Sequence, residues 1–147
     1  MDILLLSGGA DSMYLKSKFN YDKFVYFCYG QSHIDKELEV LGKDKKLQII
    51  RADNVGDKDE EGFYKGRNLN FILSVMYMYP DTKSISIGTN AEDIYPDNCR
   101  EFFDLVEKII YASYKTKVKI KTPLIKKSKK EIVKFLDLNN IGYYTDK

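Results

Sequence analysis

The sequence predicts an α/β fold, a doubly wound parallel sheet of five strands, on three observations. Five short apolar or β-branched runs, at residues 3–6, 24–29, 47–50, 84–88 and 118–121, alternate with stretches of helical periodicity. The first run, Ile3-Leu4-Leu5-Leu6, is continuously apolar, as in a central strand covered on both faces. A glycine-bearing segment, Ser7-Gly8-Gly9-Ala10-Asp11-Ser12, follows it directly, at the strand end where an open parallel sheet binds ligands. The 147 residues suit one domain, and a chain of that size buries about 68–70% of its unfolded surface. No repeat or linker divides it, so a single domain over 1–147 is expected.

Each element carries its own signature. Residues 11–18 open a helix directly behind the glycines. The run Phe24-Val25-Tyr26-Phe27-Cys28-Tyr29 is β-branched and aromatic, and Gly30 closes it. A helix over 35–45 sets Ile34, Leu38 and Leu41 on one stripe, and Leu47-Gln48-Ile49-Ile50 supplies the third strand. Residues 52–66 are Asp, Glu, Lys and Gly with little to bury, which predicts a loop and a candidate lid over the strand ends. Residues 68–79 place Leu69, Ile72, Leu73, Met76 and Tyr79 at helical spacing, and Pro80 ends them. Ser84-Ile85-Ser86-Ile87-Gly88 alternates as a half-covered strand. After a loop over 89–97, a helix over about 99–113 carries Phe102, Phe103, Val106, Ile109 and Ile110 on one face. Residues 118–121 alternate as a strand near the sheet edge. Ser128 and Glu131 form a capping box opening a last helix over Ile132, Val133 and Leu136, with Gly142 as its terminator.

Composition excludes several classes. With 24 Lys and Arg against 22 Asp and Glu the net charge is +2, too balanced for a general nucleic-acid binder. Hydrophobic residues at 44% and charged residues at 31% exclude a disordered chain. No run approaches the ~20 apolar residues of a membrane span, and the N-terminus has no signal-peptide pattern. The cysteines, Cys28 and Cys99, are far apart and read as reduced thiols, so a cytoplasmic setting is expected.

The glycine loop reads as an anion cradle. Gly8 and Gly9 free the backbone to converge N–H groups on a phosphate, Ser7 and Ser12 add hydroxyls, and the following helix directs its free amides and dipole to the same point. An ordinary strand-to-helix turn would look similar. The dinucleotide pattern G-x-G-x-x-G and the Walker pattern with Gly-Lys-Ser are both absent. The segments Tyr29-Gly30-Gln31 and Gly88-Thr89-Asn90, after the second and fourth strands, are expected to line the same crevice.

Ser7 through Ser12 resembles the S-G-G-x-D-S signature of PP-loop ATP pyrophosphatases. Tyr29-Gly30-Gln31-Ser32-His33, Gly66-Arg67-Asn68, and Gly88-Thr89-Asn90-Ala91-Glu92-Asp93 with Tyr95-Pro96-Asp97, Cys99-Arg100 and Phe102 resemble motifs of the 7-cyano-7-deazaguanine synthase family. So does Thr122-Pro123-Leu124 with Ser128-Lys129. The matches keep their order over roughly residues 3–136. Two departures stand out: Asn98 separates the aspartate from the cysteine, and the family's four-cysteine zinc element has no counterpart in this sequence. No zinc site is therefore expected.

The resemblance implies a Rossmann-like PP-loop ATPase fold (adenine nucleotide alpha hydrolase-like). It also implies ATP and Mg²⁺ as cofactors, and 7-carboxy-7-deazaguanine and ammonia as small-molecule substrates, without need of nucleic acid or membrane. Ser7, Gly8, Gly9, Ala10, Asp11, Ser12, Tyr29 and Gly88 would bind the nucleotide. Asp11 would hold Mg²⁺ or orient the loop, or only cap its helix. Lys129 would reach the phosphates, while Lys126, Lys127 and Lys130 form a solvated face. Arg67 would bind phosphate or anchor the lid. Gln31, His33, Asn68, Asn90, Glu92 and Asp93 would contribute to the substrate site, with Asp97 on the N–H edge of the deazaguanine and Arg100 on its carboxyl. His33 serves proton transfer or lies idle on a helix, and Cys99 is a nucleophile or inert. Tyr29 and Phe27 stack on adenine or serve as core aromatics. A homodimer is expected. Two further readings remain open: an ATP pyrophosphatase with another acceptor (base, tRNA or protein), and a non-catalytic nucleotide or nucleobase binder.

Overall fold

In a computed structural model, which describes residues 1–145, five parallel strands form one sheet in the order β3-β2-β1-β4-β5. The strands are β1 (Asp2–Leu5), β2 (Lys23–Cys28), β3 (Leu47–Arg51), β4 (Ser84–Ser86) and β5 (Lys119–Lys121). Between and after them run α1 (Ala10–Lys18), α2 (Ile34–Leu41), α3 (Arg67–Met78), α4 (Arg100–Tyr114) and α5 (Lys129–Leu138). The chain winds from β1 outward to β3, then crosses back to lay β4 on the other side of β1. The order therefore reverses between β1 and β4, and the connections leaving the two strands diverge to opposite faces, opening a crevice at their carboxyl ends.

Each face is covered. Met13, Tyr14 and Leu15 of α1, Leu41 of α2, and Ile132 and Leu136 of α5 pack with Leu4, Phe24 and Tyr26 on one side. Ile72, Val75 and Met76 of α3 and Phe103, Val106 and Ile110 of α4 pack with Ile3, Val25, Ile85 and Ile120 on the other. Ile3 and Leu4 are wholly buried, one toward each layer, and each such side chain contributes about 1.5–3 kcal/mol. This is why the first strand reads as an unbroken apolar run.

Several expectations are corrected. β4 is covered on both faces: Ser84 and Ser86 are 3% and 1% exposed, because β1 and β5 flank the strand and helices cover it. The Ser84 hydroxyl is satisfied by donating to Asp2 Oδ1 at 2.7 Å. α2 stops at Leu41, where Gly42 takes φ +64°, instead of running to residue 45. Asp44 then holds the turn into β3 by accepting from the Lys46 amide at 2.9 Å. On α4, Ile109 is 49% exposed, since Phe103, Val106 and Ile110 alone form the inward stripe. α5 ends at Asn139 and Asn140, the latter at φ +55°, short of Gly142. The 52–66 loop carries aromatic cargo after all, for Phe63 stacks on Tyr95 at 5.1 Å between ring centroids and Tyr64 packs edge-on against Tyr29 at 5.2 Å.

Candidate active site

The glycine loop lies where the strand order reverses. Gly8 adopts φ +84°, and a Cβ there would meet the carbonyl oxygen of Glu37 at 3.0 Å, so both conformation and space require glycine. The two serines brace the turn. The Ser7 amide donates to Ser12 Oγ at 3.0 Å, the two hydroxyls lie 3.1 Å apart, and the Gly9 amide donates to Ser7 Oγ at 3.2 Å. Gly9 caps α1 without a side chain. The amides of Ala10, Asp11 and Ser12 thus open a helix with no preceding turn to accept them, at the positive end of its dipole, and these three residues line the crevice.

Three segments meet around Asp11. Its Oδ1 lies 3.2 Å from Lys129 Nζ, and its Oδ2 accepts from Asn90 Nδ2 at 3.0 Å. Asn90 also ties its own loop, its Oδ1 accepting from the Glu92 amide at 2.8 Å and its amide donating to Asp93 Oδ2 at 2.9 Å. The Glu92 carboxylate accepts the Lys129 amide at the first turn of α5. Gly88 permits the approach, since a Cβ there would stand 2.8 Å from Asp11 Cβ. Asp93 sits at the rim, open to solvent on its outer side. Desolvation of its carboxyl, with the negative charge of Asp11, pushes its pKa up against the lowering effect of the Asn90 amide.

On the opposite wall Arg67, at the start of α3, lies over the rings of Tyr29 and Tyr64, 5.5 and 5.1 Å from their centroids, and donates to the Tyr29 hydroxyl at 3.1 Å. Burial pushes the Tyr29 phenol up, partly offset by the Arg67 charge, so it stays neutral. Among the described residues no carboxylate pairs with Arg67. The crevice thus offers one cation without an anion partner.

The whole crevice encloses about 360 Å³. It brings together Ser7, Gly9, Ala10, Asp11, Ser12, Tyr29, Gln31, Arg67, Asn68, Gly88, Asp93 and Lys129 from the residues the sequence singled out. Gly8, Asn90 and Glu92 stand just behind it and act on the loop or on α5.

Asp97, His33 and Arg100 are placed elsewhere. Asp97 is 7% exposed and its Oδ2 accepts the Asn68 amide at 3.3 Å, capping α3 instead of facing a base edge. The Arg100 fork is spent on Asp104, Glu107, the Ile120 carbonyl and the Thr122 hydroxyl, which fasten α4 to β5. His33 stacks on Tyr144 with centroids 4.7 Å apart, beside a separate shallow hollow. Asn68 reaches the crevice, but its Nδ2 is held by the Asp97 carbonyl and Asn98 Oδ1, each at 2.9 Å. Cys99 donates its thiol to the Pro96 carbonyl at 3.4 Å and is not part of the crevice lining. Phe27 stacks on Phe71 at 4.2 Å with rings 2° from parallel, which covers one of its faces.

Sequence reasoning missed Tyr26, Glu37, Phe71 and Asn98, all of which line the crevice, as does the expected Thr89. Glu37 had a readable signal: it lies within the Ile34, Leu38, Leu41 stripe, a charge on a face otherwise turned to the core.

Among the described residues no group of three or more His, Cys, Asp or Glu stands together as a metal cluster. A magnesium ion needs less, since it is held by one or two carboxylates plus substrate phosphates. Asp11 and Asp93 fit that requirement.

Comparison with known proteins bears on the family. The model of the family "Queuosine biosynthesis protein QueC" matches residues 41–145. A 7-cyano-7-deazaguanine synthase of Methanocaldococcus jannaschii is 43% identical over 72% of this chain and 47% of its own length, and that of Methanococcus aeolicus is 31% identical over the same shares. That of Chlorobaculum parvum is 30% identical over 90% of this chain and 74% of its own. The chain thus spans about half the length of the first two relatives and three quarters of the third. A crystal structure described as a predicted subunit of tRNA methyltransferase from M. jannaschii superposes with a TM-score of 0.58 at 18% identity, over 94% of this chain and 76% of that one. At that identity it speaks for the fold alone. With the family model covering more than two thirds of the residues and a relative 30% identical over 90% of the chain and 74% of its own length, the chain belongs to the QueC family of queuosine biosynthesis proteins.

Proposed function

We propose that this chain uses ATP to activate the carboxyl of 7-carboxy-7-deazaguanine as an acyl adenylate, releasing pyrophosphate, and that ammonia then displaces AMP to give the amide. A second activation and dehydration yields 7-cyano-7-deazaguanine. A carboxylate resists attack at neutral pH because its own charge repels nucleophiles, and adenylation removes that charge. The observation that carries this reading is the convergence of the opening amides of α1, the Ser7 and Ser12 hydroxyls and Lys129 on one end of the crevice, with the unpaired Arg67 on the other wall. Fixed donors of this kind neutralise a triphosphate and a developing pyrophosphate without a covalent nucleophile. Arg67 pairs with the substrate carboxylate, and Tyr29 and Tyr64, against whose rings it lies, fix its position. Asp11 and Asp93 would hold Mg²⁺, which supplies further charge neutralisation on the phosphates when bound. Asn90 and Glu92 are positioning residues, one on Asp11 and one on the start of α5.

The same reading includes a cytoplasmic setting and a homodimer. No helix among the described residues is long and apolar enough to cross a membrane. Leu105 and Ile109 on the outer side of α4 are 58% and 49% exposed and offer a surface for a second copy. Light scattering that finds only monomer at high concentration would overturn the dimer.

The test of the reaction is mass spectrometry of the purified chain with ATP, Mg²⁺, ammonium and the carboxylic acid. Amide and nitrile should appear together with AMP. Neither AMP nor nitrile would refute the proposal, and AMP formed only with a different acceptor would transfer the activity to that acceptor.

A further inference from the structure

Glu37 is a carboxylate that the proposed reaction has not yet used. It is 6% exposed, projects from α2 into the crevice, and its backbone touches the glycine loop at Gly8. The fold treats its two oxygens differently. Oε1 accepts the Tyr26 hydroxyl at 2.8 Å and the Gln31 amide at 3.4 Å, and stands 3.8 Å from His33 Nε2. Oε2 accepts nothing among the described residues. No buried side-chain oxygen among them is sealed off without a partner. Oε2 is therefore open to the space that Glu37 lines, which is the crevice. Oε2 is thus the acceptor of Glu37 that the fold leaves for a donor entering the crevice.

The required donor can be narrowed by chemistry. A phosphate or carboxylate would be repelled. An amidine-like base edge or a ribose diol presents two donors to the two oxygens of a carboxylate, and here Tyr26 and Gln31 already hold one of them. A small cation with N–H donors needs only one oxygen. Within the reaction proposed above, on which this step rests, the nitrogen donor is such a cation, because ammonia at neutral pH is chiefly ammonium. We infer that Glu37 Oε2 docks the ammonium ion beside the glycine loop, on the side of the crevice formed by β2 and α2. As the nitrogen attacks the acyl adenylate, one N–H bond breaks with its electron pair left on nitrogen. The proton passes to Oε2, the freed pair on nitrogen forms the C–N bond, the C–O bond to AMP breaks with its pair leaving on the phosphate, and that phosphate takes the second proton nitrogen sheds.

The experiment has a binding arm and a kinetic arm. In the ¹⁵N-labelled whole chain, the Gln31 side-chain amide and the Glu37 backbone amide should shift on titration with ammonium chloride and stay in place with sodium chloride. In E37Q, which keeps an acceptor for Tyr26 but puts a donor in place of Oε2, those shifts should vanish. The ammonium KM for AMP formation should rise at least tenfold in E37Q, by a larger factor than the KM for ATP or for the acid, and acid-dependent ATP–pyrophosphate exchange without ammonium is measured on the unaltered chain. Exchange absent from the unaltered chain would refute the proposed reaction, and the titration would still decide the ammonium site. No shift in the unaltered chain overturns the site, whether or not E37Q folds. A rise in the KM for the acid or ATP with that for ammonium unchanged overturns it too, because Glu37 would then read the base or the ribose.

Discussion

Gly88 and Lys129 separate two ways in which one residue serves the crevice. At Gly88 the constraint is space. A methyl group 2.8 Å from Asp11 Cβ forces α1 away from the end of β4, and such overpacking costs about 1–3 kcal/mol. G88A should lower the urea midpoint accordingly and reduce AMP formation at least about tenfold, because the loop amides move with α1. Unchanged stability would mean that the strand end yields. At Lys129 the constraint is charge. Its side chain is 48% exposed and its pair with Asp11 spans 3.2 Å, so the ion pair is worth well under about 1 kcal/mol. K129M should leave the unfolding curve nearly unchanged while AMP formation drops about 100-fold, the scale of losing one preorganised charge contact. A variant that unfolds easily yet keeps its activity would make the lysine structural.

At the scale of elements, the start of α5 delivers Lys129, and that start is fixed by its cap. Ser128 Oγ accepts the Glu131 amide at 3.2 Å and donates its hydroxyl to Glu131 Oε1 at 3.3 Å, and Glu92 accepts the Lys129 amide. S128A should cost about 1 kcal/mol in chemical denaturation, and S128D should recover most of it. Equal loss in both would show that the hydroxyl does more than cap. This box was legible in the sequence because its partners are three residues apart. Asp97 and Arg100 were not legible. Asp97 caps a helix 29 residues earlier and Arg100 reaches Ile120 on β5 and Thr122 just beyond it, 20 and 22 positions later, so a local reading saw two free charges beside a candidate base. The burial of β4 was hidden for the same reason: its serines are covered only because β1 and β5 lie on either side. Glu37 was half legible, as a charge within an apolar stripe. Its partners Tyr26 and Gln31, on β2 and in the following loop, gave it a meaning only in the fold.

For the whole molecule, the crevice is a joint. Its walls come from the loops after β1, β2 and β4 and from the starts of α1, α3 and α5, and both helical layers meet there. A nucleotide held across it contacts elements that share no site in the unfolded chain, so its binding energy adds to folding stability. At a concentration 100 times its Kd, a ligand that binds only the native state contributes about 2.7 kcal/mol. For a chain near 150 residues each kcal/mol moves Tm by about 2–4 °C, so saturating ATP with Mg²⁺ should raise Tm by about 5–10 °C in a scanning experiment. If the loop amides and Lys129 grip the β and γ phosphates, inorganic pyrophosphate should give a substantial part of that shift and AMP little. K129M should weaken the response to pyrophosphate more than that to AMP, because only the former meets the lysine. Equal shifts with AMP and ATP would place the dominant contacts on the nucleoside and remove the glycine loop from its assigned task.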